Sequence, residues 1–225
     1  MRLNRFITEG TSTKQWEDLS STLEKDCKPF ILEIKGMKSL LYRGSSKDTS
    51  FYTKIKQRQD REPLYNDPDL SGMMDEWTNQ YWGFKARSQS TFTTANVDVA
   101  KGYGRGAYIV FPIGKYRYAW NKDVSNLYAL YDSFDAQVIS EYDKMGGYDD
   151  EEITMMDAKE MVYKNLILPE LKKYRTSNLN KYLKMGPWSS SDFTECIINA
   201  KSYYLINRVW EPTLLAWYSD RYWRQ

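Results

Sequence analysis

The sequence predicts an α+β fold, and three observations carry that expectation. Strand-like and helix-like runs are interleaved, but without the regular strand–helix–strand alternation of a parallel α/β sheet. Turn residues punctuate the chain at irregular intervals, and no internal repeat or low-complexity tract interrupts it. Hydrophobic residues make up 41% and aromatic residues 16% of the chain, which suits a packed core, whereas a disordered chain is poor in aromatics. The length of 225 residues suits one domain over 1–225, with a helical insertion around 120–185.

Taken in order, residues 12–27 form an amphipathic helix, capped by Thr13, with Trp16, Leu19, Leu23 and Cys27 on one face at steps of three and four. I-L-E-I-K-G (31–36) and S-L-L-Y-R-G (39–44) read as a pair of strands joined by a short turn, which places Arg43 at a strand end beside a glycine. The polar, basic segment from Ser45 to Pro68 reads as surface. Met73, Trp77 and Tyr81 repeat at four-residue spacing in a helix over 70–83 that Gly83 stops. S-T-F-T-T (90–94) is strand-like, Asn96 caps a short helix, and G-Y-G-R-G (102–106) ends it before the strand Y-I-V-F-P-I-G. A helix over about 151–174 starts from Asp149 or Asp150 and is kinked or split by Pro169. F-T-E-C-I-I-N-A and S-Y-Y-L-I-N-R-V are two late strands, and the last residues form a helix with Pro212 in its first turn.

Composition excludes whole classes of chemistry. The chain has no histidine, which removes Ser-His-Asp and Cys-His nucleophilic mechanisms, His-base nucleases and His-containing zinc sites. Cys27 and Cys196 have no metal-ligand spacing and are too few for a disulfide framework, so a reducing compartment and no metal are expected. A net charge of +2 gives no overall field that would draw the chain onto nucleic acid. No apolar run approaches the roughly 18 residues of a membrane span, and the N-terminal segment lacks a signal-peptide core. The expectation is a cytoplasmic protein without a membrane partner.

What remains is carboxylate, guanidinium, hydroxyl and aromatic chemistry. Three places combine those groups with strand ends: Arg43 in L-L-Y-R-G, the hydroxyl run Ser90-Thr91-Phe92-Thr93-Thr94, and Glu195 in S-D-F-T-E-C-I-I. Each also has a plain structural explanation, as a surface ion pair, an ordinary Thr-rich strand and a solvent-facing strand residue. G-Y-G-R-G follows a helix and precedes a strand, the reverse of a phosphate-cradling loop. D-D-E-E (149–152) lacks EF-hand spacing and suits a helix start. The basic residues of 54–61, with Trp217, Tyr218, Tyr222 and Trp223, could stack nucleic acid, although core packing or a protein contact suits those aromatics better.

Arginine, then Ser-Thr-aromatic, then glutamate opening a late strand resembles the arginine–serine–glutamate class of ADP-ribosyltransferases. D-R-E-P-L, A-R-S-Q-S-T-F-T-T, A-K-G-Y-G, V-F-P-I-G-K-Y-R-Y-A-W and E-C-I-I-N-A-K-S-Y-Y-L-I also resemble motif blocks of small phage and bacterial proteins, over roughly residues 40–210. The resemblance implies a split β-sandwich with flanking helices that binds NAD between two sheets and transfers ADP-ribose to a protein or nucleic-acid acceptor. It implies Glu195 as the catalytic carboxylate and Ser90 as a hydroxyl that bonds Glu195 or the ribose and holds the carboxylate in place. Arg43 would grip the dinucleotide phosphates, with Gly44, Thr91, Phe92 and Tyr103 also lining the NAD site. The motif departs from the class at S-T-F, where S-T-S is commoner. Phe193 stands two residues before Glu195, where many arginine-modifying members carry Glu or Gln, so the acceptor stays open.

These roles suit the residue types. Cleavage of the N-glycosidic bond of NAD passes through an oxocarbenium-like sugar, which a fixed carboxylate stabilises. A guanidinium offers paired charge-assisted bonds to phosphate. Gly44 would let backbone groups approach the nicotinamide amide, and Phe92 or Tyr103 would stack on its ring. Two other functions fit the same text: a non-catalytic relative or unrelated binding module that inhibits a host protein, and an NAD glycohydrolase that labels no acceptor.

Overall fold

The computed structural model describes residues 13–60, 67–122, 127–147, 153–186 and 194–222. Two antiparallel sheets are flanked by helices, an α+β arrangement. The first sheet has strand order β1-β4-β7-β2, built from β1 (Tyr42–Ser45), β4 (Gly106–Pro112), β7 (Ser202–Asn207) and β2 (Tyr52–Lys56). The second has order β3-β6-β5, built from β3 (Thr91–Thr93), β6 (Glu195–Ala200) and β5 (Tyr116–Asn121). Alternation along the strands sorts side chains between two cores. Cys196, Ile198 and Ala200 of β6 enter the core shared with the first sheet, whereas Ile197 between them enters a second core.

That second core lies under helices α3 (Pro68–Trp82), α5 (Leu127–Lys144) and α6 (Met155–Val162), with Met74, Phe134 and Ala158 buried against Ile197 and Ala119. The opposite side of the first sheet is covered by α1 (Thr13–Asp26) and α9 (Glu211–Tyr222). Tyr204 donates to Asp26 and Tyr42 to Glu211, so these tyrosines point to that helical side. Trp16 of α1 packs against Trp210 and Trp217, which places Trp217 and Tyr218 in the core and removes both from any surface for stacking bases. No described helix is long and apolar enough to cross a membrane.

Local chemistry explains most elements. Asp67 caps α3 by accepting from Asp69 and Leu70 N–H, and Gly83 closes it at φ 76°, the left-handed conformation that glycine adopts without strain. Asn96 caps α4 (Val97–Lys101) as its position before V-D-V predicts. Thr154 and Asp157 form a reciprocal capping box at the start of α6, while the expected caps Asp149 and Asp150 lie outside the described residues. Pro169 does divide the helical run: a π-helical turn, Tyr163–Ile167, separates α6 from α7 (Leu168–Leu171).

Several expectations need correction. Residues 31–36 are no strand, because Lys28–Glu33 form helix α2. Pro29 suits a first helical turn, and the buried Cys27, Phe30, Ile31 and Ile34 repeat with helical period, which a four-residue apolar run cannot distinguish from alternation. Inside the supposed surface segment, β2 pairs with β7 from Tyr52↔Ile206 to Lys56↔Ser202. The buried stripe of α3 is Leu70, Ser71, Met74, Asp75 and Thr78, whereas Tyr81 is exposed. The polar members are buried for a reason: Asp75 accepts from Arg87 and Ser88 N–H and Thr78 from Ala86 N–H, which fixes the turn leading into β3.

Candidate active site

Arg43 leaves β1 toward the second sheet. Its Nη1 donates to Thr91 Oγ1 at 3.2 Å and to Tyr203 Oη at 2.5 Å, and the guanidinium carbon lies 5.7 Å from the Tyr203 ring centre. Thr91 donates onward to Gln57 Oε1, and both residues are buried. Arg43 thus rests on neutral hydroxyls and an aromatic ring, and no carboxylate pairs with it among the described residues. A partly buried guanidinium in that state keeps its full attraction for an anion, and its Nε and Nη2 donors have no protein acceptor among the described residues.

Gly44 has a structural cause. A Cβ there would lie 2.5 Å from the Ala100 carbonyl oxygen and 2.6 Å from the Tyr103 carbonyl carbon, and one on Gly104 would lie 2.5 Å from Ser45 N. Strand β1 and the turn after α4 therefore cross backbone to backbone. The space over the Gly44 Cα is filled by protein, so the glycine does not open that side to a nicotinamide amide. Tyr103 sits at this crossing and is 56% exposed.

Glu195 is the first residue of β6 and is partly buried. Alternation with Ile197 places it on the helical side of the second sheet, opposite to the Arg43 side. Tyr174 donates its hydroxyl to Glu195 Oε1. Loss of hydration pushes the carboxyl up to about 7, against the Tyr174 hydrogen bond and the positive charge of Arg87, which both favour the ionised form. Arg87 lies over the Phe92 ring at 5.3 Å, and Tyr174 leans on Trp82 with ring centres 5.2 Å apart. Carboxylate, guanidinium and aromatic faces thus converge on one end of the sheet.

Ser90 does not hold Glu195. Its Oγ donates to Lys85 O at 2.8 Å and accepts from Asn199 Nδ2 at 3.4 Å. The register Thr91↔Ile198 to Thr93↔Cys196 puts Ser90 beside Asn199, four residues along β6 from Glu195, or about 13 Å at the rise of a strand. Thr91 points into the inter-sheet core and Phe92 toward the helices, so neighbouring members of the hydroxyl run serve opposite faces.

The backbone nevertheless aligns the motif strands. Tyr42 and Thr94 exchange backbone hydrogen bonds of 2.7 and 2.9 Å, and the β3–β6 register brings Thr94 level with Glu195. Asn121 pairs with Glu195, and the bridge Trp120↔Arg175 brings Tyr174 level with Asn121. One row, Tyr42–Thr94–Glu195–Asn121–Tyr174, crosses from the first sheet through the second. Sequence reasoning missed Arg87, Asn121 and Tyr174; Arg87 alone carried a signal, as a cation three residues before the hydroxyl run. Phe193 and 149–152 lie outside the described residues, and no group of three or more metal-ligating side chains gathers among the described ones. Comparison of the chain with protein-family models, curated proteins and solved structures finds no match.

Proposed function

We propose that the chain cleaves NAD and transfers ADP-ribose to a macromolecular acceptor, as an ADP-ribosyltransferase-like split β-sandwich of the arginine–serine–glutamate class. The observation that carries this reading is the strand adjacency: the strand bearing the hydroxyl run is hydrogen-bonded on one side to the strand of Arg43 and on the other to the strand of Glu195. Order along the chain has become a lateral sequence of strands, with Arg43 and Glu195 about two strand spacings, or 10 Å, apart across the sheets. Because β3 ends at Thr93 and β6 begins at Glu195, a dinucleotide gripped by Arg43 would pass around the strand ends to reach the carboxylate.

In this reading Arg43 binds the diphosphate and the ionised Glu195 faces the nicotinamide ribose. The bond between the ribose anomeric carbon and the nicotinamide nitrogen breaks, and its electron pair neutralises the departing nicotinamide. Glu195 stabilises the cationic sugar until a nucleophilic atom of the acceptor bonds to the anomeric carbon and gives up its proton. In this reading Phe92 or Tyr103 would stack on the departing ring. Ser90, bonded to Lys85 and Asn199, supports its strand rather than the carboxylate.

The test is incubation of the protein with NAD and cell lysate, followed by mass spectrometry. A protein or nucleic acid bearing an added ADP-ribose supports the reading. Free ADP-ribose without a labelled acceptor means that water is the acceptor and the chain is an NAD glycohydrolase. Unconsumed NAD leaves a binding module.

A further inference from the structure

We propose that Tyr174 is the positioning residue of the Glu195 carboxylate, a role that rests on the NAD-cleaving reading above. Tyr174 lies in the helical segment between β5 and β6, far from the motif strands in sequence, yet the fold stitches it to them. Arg175 and Trp120 exchange backbone hydrogen bonds of 2.9 Å in both directions, and Trp120 Nε1 donates to Ser177 O at 2.8 Å. The Arg175 guanidinium lies 5.4 Å from the Trp120 ring centre. Arg175 therefore forms a single antiparallel bridge to β5, and Trp120 is itself fully buried and paired with Cys196. Tyr174 comes level with Asn121 and Glu195, with its ring wedged on Trp82 and its hydroxyl on Glu195 Oε1.

This arrangement does what a supporting hydroxyl from the motif strand would do. A single hydroxyl donor to one oxygen fixes the carboxyl rotamer and leaves the other oxygen for the sugar. Among the described residues, Tyr174 from the helical segment and Arg87 from the turn before β3 favour the ionised carboxyl, while the buried Cys196 thiol, next along β6 on the other face, also feels its charge. Removing the hydroxyl alone therefore raises the pH at which Glu195 ionises and frees its rotamer, while the ring contact with Trp82 survives.

The experiment compares wild type with Tyr174→Phe in two readouts. In the first, nicotinamide release is followed from pH 5.5 to 9, with kcat and KM for NAD separated. The variant is expected to move the pH midpoint of kcat/KM upward by about one unit and to lower kcat at pH 7 about tenfold, with KM for NAD unchanged within about twofold. In the second, the Glu195 carboxyl resonance is titrated by NMR in protein labelled at glutamate carboxyl carbons and assigned through Glu195→Gln. It needs no turnover, and its midpoint should also rise in Tyr174→Phe. An unchanged NMR midpoint, or a KM effect without a pH shift, overturns the positioning role. Absence of nicotinamide release by wild type at every pH overturns the function instead, and the NMR titration still decides whether Tyr174 governs Glu195.

Discussion

The two faces of the three-stranded sheet handle charge in opposite ways. On the inner face, the Arg43 guanidinium is supported by Thr91 and Tyr203, neutral groups that orient a charge without cancelling it. On the outer face, partial burial costs the Glu195 carboxyl hydration, so its charge is costly until Tyr174, Arg87 or an incoming cation offsets that cost. The inner face is ready for an anion before any ligand arrives. The outer face holds a carboxyl whose ionised form becomes most favourable when positive charge develops beside it. That division matches the two halves of an NAD-cleaving reaction: static grip on a diphosphate and stabilisation of a transient cation.

Substitutions can break this contrast one face at a time. The largest effect on binding is expected for Arg43→Ala, which should raise the dissociation constant for NAD about 10- to 100-fold while the fold persists, as isothermal titration and a thermal melt would show. Arg43→Lys should recover little, because an ammonium cannot reproduce the fork. Gly44→Ala forces a methyl against the Ala100 carbonyl and should destabilise by about 1–3 kcal/mol in chemical denaturation. Thr91→Val removes the hydroxyl under Arg43 and should weaken NAD binding severalfold without altering the pH dependence of catalysis. Ser90→Ala should leave the rate of nicotinamide release within about twofold of wild type and cost about 1 kcal/mol of stability, since its hydroxyl serves Lys85 and Asn199.

The outer face also makes a prediction about stability. Burial raises the Glu195 carboxyl in the folded state to about 7, above its ordinary value of 4.5, so between those values the native protein holds a proton that the unfolded chain releases. Stability from this group is full below about pH 4.5 and falls as pH rises toward 7. Glu195→Gln removes the ionisation, so its melting temperature should match wild type near pH 4.5 and exceed it most above pH 7. A constant difference across that range would mean that Glu195 is not desolvated.

Much of this framework was legible in the residues, for identifiable reasons. Asn96 stands where an N-cap belongs, Gly83 where a left-handed stop belongs, and Arg43 and Glu195 lie beside the turn signals that bound their strands. Strands β2 and β5 were not legible, because Y-T-K-I-K and Y-R-Y-A-W-N mix charged and aromatic residues whose burial is decided by partners elsewhere. The expected contact of Ser90 with Glu195 failed on register: its neighbour is Asn199, and pairing offset is a tertiary property. Tyr174 was least legible of all, since nothing in K-Y-R-T-S announces that Arg175 will bridge to Trp120. The polar stripe of α3 misled in the same way, because Asp75 and Thr78 are buried to satisfy a backbone turn that only the fold brings near.

The most direct test of the central claim is nicotinamide release from NAD at pH 8, where wild-type Glu195 is ionised, measured for wild type and Glu195→Gln at equal NAD occupancy. The proposed NAD cleavage predicts release by the wild type, a loss of at least about 100-fold in the variant, and NAD affinity unchanged within a few-fold. Equal rates for the two proteins would contradict it.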